Sequence, residues 1–368
     1  MSETIGIIGI GKLGLCFALN LERSGFRVVG VDMNPDYIWQ LNEKTYFSQE
    51  PQVNELLRAS HNFTATEDIK TAVAESNVLF LAVATPTSAE GGYDHSQVER
   101  VLHQLISFGR QDQKKHLVIS CTTMPGYCDT IAKQMEAFNY TVSYNPEFIA
   151  QGSIIQNQLY PDQVLIGEAD KEAGDAIEQI YRKLCKSNPT YCRMNRLSAE
   201  ICKLATNCFL TTKISFANAI GDLAVSVGAE PDKILSAIGS DSRIGEKYLK
   251  HGFGFGGPCF PRDNRALELF ASKINYDLLI SRATDQTNAH HLDFMFQQWM
   301  RQHVNGHEIV FDYVTYKPGI NLLEESQPLA LAVKLAQAGK RVKVRDTKSV
   351  IEEVRKNYGD LFIYEERN

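Results

Sequence analysis

The chain has 368 residues, which is enough for two or three domains with ample cores. Hydrophobic residues make up 43% and charged residues 22%, as in ordinary globular proteins. The net charge of −6 offers no basic surface to nucleic acid, and no apolar run approaches the roughly 20 residues that span a bilayer. Eight cysteines without a C-x-x-C pair indicate reduced thiols. We therefore expect a cytoplasmic protein with no nucleic-acid partner, no membrane partner and no metal.

The N-terminal segment combines a short apolar run, Thr4–Ile8, with a glycine-rich turn and a helical pattern. A second apolar run, Arg27–Val31, ends at an acid. This order predicts a Rossmann dinucleotide site, because the turn admits a pyrophosphate to the helix N-terminus. An acid at the strand end binds ribose hydroxyls and repels a 2′-phosphate, so we predict NAD as the cofactor. The expected contacts are Gly9, Ile10, Gly11, Lys12, Leu13, Gly14 and Asp32.

Apolar runs alternate with helical patterns as far as residue 185. Val78–Ala82, His116–Ser120 and Gln163–Gly167 have the continuous apolar character of buried parallel strands. The predicted fold is therefore α/β, with an N-terminal Rossmann-like doubly wound sheet. Ligands bind such sheets at the carboxyl ends of the strands. The polar turns expected there, and interpreted as active-site loops, are Ala84–Thr87, Cys121–Gly126 and Asn145–Phe148.

A long helical pattern runs from Ser198 to about Val227. At ~1.5 Å per residue, such a helix would be roughly 45 Å long and could form a spine between domains. Lys203 and Asn207, four residues apart, would present an ammonium and an amide to a developing oxyanion. A solvated helix face is the other interpretation, and the pattern by itself favours it.

The stretch His251–Asp263 places four glycines just before Cys259. Glycines let the backbone approach a ligand closely. Pro261 is suited to the start of a helix, whose N-terminus would favour a thiolate at Cys259. A nucleophilic cysteine and a structural cysteine in a Gly/Pro turn are equally compatible with this segment alone.

The remainder of the chain predicts a second long helix and a small α/β unit. The helix is expected over Leu278–His303, and within it His290 and His291 lack a partner motif and are expected to be structural. From His307 to Tyr364, short apolar runs and helical patterns alternate again.

Six motifs occur in a characteristic order between residue 4 and about residue 275. They are Gly9–Gly14, Thr122–Pro125, Asn145–Phe148, Lys203–Asn207, Ser242–Gly245 and Phe253–Asp263. Together they resemble the UDP-glucose/GDP-mannose dehydrogenase family. The resemblance implies a four-electron oxidation of a sugar C6 alcohol to the carboxylate, in which two NAD are consumed in turn.

The resemblance also implies roles for individual residues. The catalytic residues are Cys259, Lys203, Asn207, Asp263, Glu147 and Thr123. The cysteine would form a thiohemiacetal and then a thioester, and the lysine and asparagine would steady the oxyanion. The other three would handle water and proton transfers.

Further residues are implied to contact the two ligands. The substrate contacts are Glu147, Phe148, Ile149, Lys203, Asn207, Arg243, Tyr248, Lys250, Gly256, Tyr316 and Lys317. The cofactor contacts beyond the glycine turn and its acid are Thr85, Thr123 and Arg262. The loop around Arg243 is expected to serve a neighbouring subunit, across a homodimer built on the long helix.

The implied organisation has three parts. Residues 1–196 would form the NAD-binding Rossmann-like domain, and residues 197–304 a central long-helix dimerisation region with the catalytic cysteine loop. Residues 305–368 would form a short C-terminal α/β domain that binds the nucleotide sugar.

Three positions depart from the family pattern. Gln151 stands where relatives commonly have a second glutamate, and Tyr37 where they often carry a cation that reaches the cofactor. Glu324 replaces an arginine that usually approaches the cofactor. The tail is also short. These departures bear on base recognition and catalytic rate.

We interpret the chain as an NAD-dependent UDP-glucose 6-dehydrogenase. The same chemistry on GDP-mannose or on a UDP-N-acetylhexosamine is the first alternative. A weakly active nucleotide-sugar-binding homologue is the second, and a β-hydroxyacid dehydrogenase is disfavoured because it has no use for Cys259.

Overall fold

The computed structural model describes residues 3–303 and 307–367. The chain divides into two compact units, residues 1–203 and residues 204–368. The predicted domain boundary between residues 304 and 305 lies outside the described residues, and the three-part organisation stays a prediction.

The first unit is built on an eight-stranded sheet in the order β3-β2-β1-β4-β5-β6-β7-β8. Its strands are β1 (Thr4–Ile8), β2 (Arg27–Val31), β3 (Phe63–Thr66), β4 (Val78–Leu81), β5 (Lys115–Ile119), β6 (Tyr140–Tyr144), β7 (Gln163–Glu168) and β8 (Thr190–Asn195). The first six strands of this order run parallel, with Ile5 opposite both Val28 and Val78. The predicted α/β fold with a Rossmann-like sheet is confirmed.

Strand β7 differs from the expectation of a parallel neighbour. It pairs with β6 in the antiparallel sense, through Tyr144 and Gly167, and with β8 in the parallel sense. An apolar run indicates burial on both faces, but it does not specify the direction in which a strand runs. The two strands at this edge therefore run opposite to the other six.

Eight helices cover the two faces of this sheet. They are α1 (Lys12–Arg23), α2 (Pro35–Asn42), α3 (Val53–Ala59), α4 (Ile69–Glu75), α5 (Ser96–Ser107), α6 (Tyr127–Met135), α7 (Ile154–Leu159) and α8 (Lys171–Leu184). Helices α1, α2, α3, α7 and α8 share one buried apolar cluster, and α4, α5 and α6 share another. Both faces of the sheet are therefore buried, as a doubly wound fold requires.

A 31-residue helix, α9 (Arg196–Ser226), begins in the first unit and continues into the second. The second unit adds α10 (Pro231–Gly239), α11 (Phe260–Lys273), α12 (Leu279–Gln302), α13 (Gln327–Gln337) and α14 (Lys348–Tyr358). A small parallel sheet has the order β11-β10-β9, with β9 (Ile309–Phe311), β10 (Val342–Asp346) and β11 (Ile363–Glu366). Within the described ranges, no helix combines the length and the apolar character needed to cross a membrane.

Candidate active site

The glycine-rich turn between β1 and α1 has the geometry of a dinucleotide cradle. Gly9 has a φ of +95°, which side chains rarely adopt, and a Cβ at Gly14 would lie 2.0 Å from the Gly9 carbonyl oxygen. Gly11 is the N-cap of α1, and a Cβ built there would have no atom within 4 Å. The turn is therefore tight at its base and open in front of the helix N-terminus, where a pyrophosphate would bind.

The loop after β2 carries Asp32 beside this turn. An Asp32 carboxylate oxygen accepts a hydrogen bond from the Asn34 N–H at 3.2 Å. Tyr37, one of the departures from the family pattern, donates its hydroxyl to the carbonyl of Ile10 at 2.7 Å. Burial raises the pKa of Tyr37, so the hydroxyl stays protonated as a donor. Tyr37 therefore fastens the glycine turn instead of supplying a cation.

The turns after β4 and β5 bring Thr85 and Thr123 to one edge of the sheet. The Thr85 hydroxyl donates to the Thr122 carbonyl at 2.9 Å. The fully buried Thr123 donates its hydroxyl to Glu200 on α9 at 2.8 Å. Because its proton points at Glu200, the Thr123 oxygen presents its lone pairs to any other partner.

Glu200 is a buried carboxylate on α9 to which the sequence analysis assigned no role. It also accepts the backbone N–H groups of Gly126 at 2.7 Å and Cys128 at 2.9 Å, at the start of α6. Burial raises the pKa of Glu200. The hydrogen bonds that it accepts lower this pKa, but burial has the larger effect. Glu200 therefore joins α9 to the β5–α6 turn and orients Thr123. In the sequence, the available signal for this role was the spacing of three residues between Glu200 and Lys203.

Glu147 follows β6 and is partly buried. Its two carboxylate oxygens each accept a hydrogen bond from Gln158 Nε2 at 2.9 Å. Gln158 in turn accepts from the buried Asn20 at 2.9 Å. Burial raises the pKa of Glu147 to about 7, although the Gln158 hydrogen bonds and the Lys203 charge lower it. A carboxyl with this pKa is suited to general acid–base work near neutral pH.

Lys203 of α9 lies beside the same turn after β6. Its Nζ donates to the Glu147 carbonyl oxygen at 2.7 Å and lies 4.4 Å from the centre of the Phe148 ring. Ile149 packs against the core of the first unit. The structure therefore brings Glu147, Phe148 and Lys203 together.

Gln151 forms part of a polar contact with the glycine turn. Lys12 Nζ donates to Gln151 Oε1 at 3.1 Å, and its distance to Glu50 is 3.9 Å. Glu50 is buried and accepts the N–H groups of Gly152 and Ile154 at the start of α7. Gln151 therefore binds Lys12 at a position where relatives commonly have a glutamate.

In the second unit, Cys259 is the N-cap of α11 and is exposed. Asp263, in the first turn, donates its backbone N–H to the Cys259 carbonyl at 2.8 Å. Its carboxylate is buried and accepts from Asn207 Nδ2 at 2.6 Å. Cys259, Asn207 and Asp263 are therefore brought together, with the sulfur at a helix N-terminus. Arg262 lies half-buried in the same turn.

The glycines before Cys259 allow close packing by the tail of the chain. A Cβ at Gly256 would lie 2.2 Å from the Glu325 carbonyl oxygen, and one at Gly257 2.6 Å from the Tyr316 ring. Burial raises the pKa of Tyr316, as does the nearby Cys259. Tyr316 therefore covers the loop that leads to the cysteine.

Four of the predicted substrate contacts lie on the surface of the second unit. Arg243 is 87% exposed and pairs with Asp241 at 2.6 Å. Tyr248 is 47% exposed, has a φ of +64° and lies beside Phe260. Lys250 and Lys317 are exposed. In the described parts of the chain, the hydrogen-bonded side-chain partner of Arg243 is Asp241.

A cleft of about 310 Å³ opens at the carboxyl ends of β9 and β10. Its lining residues are Asp312, Tyr313, Pro318, Gly319, Ile320, Asn321, Asp346, Thr347 and Arg367. Arg367 donates to the Asp312 carbonyl at 3.2 Å. The C-terminal part of the chain thus offers an arginine and several polar groups at the sheet edge where ligands commonly bind.

The chain matches two domains of a known protein family. The NAD binding domain of the UDP-glucose/GDP-mannose dehydrogenase family matches residues 3–185, and the central domain of that family matches residues 197–290. The first match confirms the predicted NAD cofactor.

Individual relatives cover most of the chain. A UDP-glucose 6-dehydrogenase of Pseudomonas aeruginosa is 31% identical over 92% of this chain and 78% of that protein. A GDP-mannose 6-dehydrogenase of the same organism is 29% identical over 93% and 80%. The structure of a UDP-glucose dehydrogenase from the archaeon Pyrobaculum islandicum matches with a TM-score of 0.89 at 30% identity, covering 100% of this chain and 87% of that one. The chain therefore belongs to the UDP-glucose/GDP-mannose dehydrogenase family of NAD-dependent enzymes.

Proposed function

We propose that the protein oxidises UDP-glucose to UDP-glucuronate in two steps, with Cys259 as the nucleophile. The observation that carries this proposal is the exposed Cys259 at the N-cap of α11, with Asp263 buried in the same turn and hydrogen bonded to Asn207. A thiol at the positive end of a helix is favoured as the thiolate. A dehydrogenase that stopped at the aldehyde would have no use for this nucleophile.

The turn after β1 fits NAD, because it is open at Gly11 and has an acid, Asp32, beside it. When bound, NAD accepts one hydride in each of the two oxidations. The acid at the end of β2 disfavours a 2′-phosphate, and this supports NAD over NADP.

In the first oxidation, the C6 hydroxyl of the sugar loses its proton as a hydride departs from the C6 carbon. Glu147, whose pKa burial raises to about 7, is ionised in a large fraction of molecules at neutral pH and accepts that proton. Lys203 and Asn207, one turn apart on α9, donate to the C6 oxygen while it carries negative charge. The product of this step is the aldehyde.

In the second oxidation, the Cys259 sulfur adds to the aldehyde carbon and forms an S–C bond. The carbonyl oxygen becomes an alkoxide, which Lys203 and Asn207 stabilise. Departure of the second hydride converts the thiohemiacetal to a thioester. Glu147 returns its first proton to solvent and then accepts a proton from the water that attacks the thioester. The C–S bond breaks to give the Cys259 thiolate and the carboxylic acid, which loses its remaining proton to solvent.

The experiment combines purified protein with UDP-glucose and NAD. We expect two NADH per UDP-glucose and UDP-glucuronate as the product. The absence of NADH, or one NADH per sugar with intact Cys259, would contradict the proposal.

A panel of sugars tests the substrate. GDP-mannose is the main competitor, because the chain is also 29% identical to a GDP-mannose 6-dehydrogenase. UDP-N-acetylglucosamine completes the panel. The proposal requires the highest kcat/KM with UDP-glucose, and a higher value with either other sugar would reassign the substrate.

We also propose that the protein acts as a homodimer in the cytoplasm. Phe209, Phe216 and Leu223 of α9 are spaced seven residues apart and are 47% to 66% exposed, so they form an apolar stripe along two-turn intervals. A second copy would cover this stripe, and Arg243 would then serve the neighbouring copy. Sedimentation should show a dimer that Phe216→Asp converts to a monomer, with Phe47→Asp, also at an exposed phenylalanine, as the matched control.

A further inference from the structure

The glycine-rich loop, residues 251–258, is held by buried side chains of two long helices. On α12, Asn288 accepts the Phe255 N–H at 2.9 Å and donates to the Phe255 carbonyl at 3.0 Å. On α9, Asn218 accepts the Gly252 N–H at 3.0 Å. The loop backbone is therefore held at two points by buried amides.

A third contact involves His291, which is 1% exposed. Its Nδ1 lies 2.9 Å and 3.0 Å from the two carboxylate oxygens of Asp222, and its Nε2 lies 2.6 Å from the Gly252 carbonyl oxygen. A carbonyl oxygen and an ionised carboxylate only accept hydrogen bonds. Donation to both of these acceptors requires hydrogen on both ring nitrogens.

Asp222 supplies the opposite charge. Burial would raise its pKa, but hydrogen bonds from His251 and His291 outweigh burial and lower it. His251 Nε2 lies 2.9 Å from the Asp222 carboxylate. Asp222 is thus an ionised carboxylate between two histidines.

Two glycines make room for this arrangement. A Cβ at Gly221, inside α9, would lie 2.1 Å from the His251 ring. A Cβ at Gly254 would lie 2.2 Å from Asn288 Oδ1. Glycine inside a helix is less favourable than alanine, so its presence in α9 is explained by the ring that it admits.

We propose that His291 is a positioning residue whose doubly protonated ring ties the Gly252 carbonyl to Asp222 and thereby fixes the loop that carries Cys259. Thiolate addition requires the sulfur to lie at a defined distance and angle from the aldehyde carbon. Without His291, the Gly252 end of the loop would rely on the hydrogen bond from the Gly252 N–H to Asn218, and the sulfur would be placed less precisely. The catalytic part of this inference rests on the proposed function; the contact and the protonation state do not.

The first test replaces His291 by glutamine, which keeps one donor and removes the charge. Amide hydrogen exchange in the peptide that contains residues 251–258 should increase about tenfold or more. In turnover, kcat for acid formation should fall on the order of 10²-fold and free aldehyde should accumulate, while the KM for NAD stays unchanged. A generally destabilised protein would not show this division between kcat and KM.

His290→Gln is the matched control, because His290 is the adjacent residue on α12 and is exposed. It should retain wild-type exchange and kcat. Equal behaviour of the His290 and His291 variants would overturn the proposal. If the protein had no dehydrogenase activity, the exchange experiment would still test the contact between His291 and the Gly252 carbonyl.

The second test needs no variant. Two-bond nitrogen–proton NMR spectra of the intact protein, with histidine labelled in ¹⁵N, distinguish an imidazolium from either neutral tautomer. We expect one imidazolium that persists at neutral pH and is absent from the His291→Gln spectrum. A neutral tautomer at His291 would overturn the proposal.

The same three side chains, Asp222, His251 and His291, offer one ligand atom each within 4.8 Å of one another, which is the chemistry of a cation site. Elemental analysis of purified protein distinguishes a bound cation from a protonated His291. We expect no stoichiometric zinc, and an unchanged melting temperature after dialysis against a chelator. One zinc per chain that Asp222→Asn abolishes would replace the imidazolium by a metal and overturn the proposal.

Discussion

Two glycine-rich loops carry the proposed chemistry, and they are held in different ways. The turn Gly9–Gly14 is held mainly by backbone: the Gly9 N–H donates to the Val31 carbonyl at 2.8 Å, and the Leu15 N–H to the Gly11 carbonyl at 2.8 Å. The loop of residues 251–258 is held by side chains from α9 and α12, which are distant in the chain.

The difference follows from what each loop has to bind. A pyrophosphate is recognised by backbone N–H groups and a helix dipole, and a local strand–turn–helix unit supplies both. A nucleophile must place one sulfur atom, so its loop needs support from outside its own segment. Changes in the first loop should therefore affect NAD binding, and changes around the second should affect chemistry.

The largest expected effect comes from the second loop. Cys259→Ser should reduce acid formation on the order of 10³-fold or more, because the weaker hydroxyl nucleophile cannot form the thioester. NAD affinity, measured by fluorescence titration, should equal that of the wild type. A substantial loss of NAD affinity would show that the two loops are not functionally separate.

A pair of substitutions in the first loop gives the next largest effect. Gly14→Ala places a Cβ 2.0 Å from the Gly9 carbonyl and should lower the free energy of unfolding by about 1–3 kcal/mol. Gly11→Ala, where no atom lies within 4 Å, should leave stability unchanged while NAD affinity falls about tenfold. Thermal melts and NAD titrations measure the two quantities. A destabilised Gly11→Ala would contradict the open geometry in front of α1.

Glu147, in the turn after β6, is also held by side chains that are distant in the sequence, as the loop of residues 251–258 is. Because burial raises its pKa to about 7, kcat should rise about tenfold between pH 6 and pH 8 as the carboxylate ionises. Gln158→Leu removes two hydrogen bonds that lower this pKa, so the rise should move to higher pH. An unchanged pH profile in this variant would show that Gln158 does not lower the pKa of Glu147.

The same carboxyl makes stability depend on pH. Its pKa in the folded protein, about 7, lies above the ordinary 4.5, so folding favours the protonated form. This contribution is complete below about pH 4.5 and is lost as the pH rises through 7. Glu147→Gln should flatten this part of a denaturant-midpoint curve, and an unchanged slope would locate the titration elsewhere.

The smallest expected effect concerns Tyr37. Tyr37→Phe removes the hydrogen bond to the Ile10 carbonyl and should cost about 1 kcal/mol of stability, with a weaker effect on NAD affinity. Chemical denaturation and NAD titration measure both. An effect on kcat larger than that on NAD affinity would break the separation between the two loops.

Most of the fold could be predicted because its signals are periodic. The apolar runs and helical patterns located β1, β2, β4, β5 and β7 of the large sheet, α9, α12 and the small C-terminal α/β unit. The edge strands β3 and β8 escaped prediction, since edge strands such as Phe63–Thr66 lack a continuous apolar run. The direction of β7 escaped because burial does not encode it.

The sequence by itself determined the parts of this protein that depend on neighbours along the chain. The β1–α1 turn, the acid after β2 and the start of α11 at Cys259 are local features, and turn glycines and helix-start residues specify them. The tertiary structure alone decided the partners of the buried polar groups. Glu147 with Gln158, Thr123 with Glu200, and His291 with Gly252 join segments far apart in sequence. Such pairs form because a buried donor or acceptor must be satisfied by whatever the fold brings near it, and no local pattern records that partner.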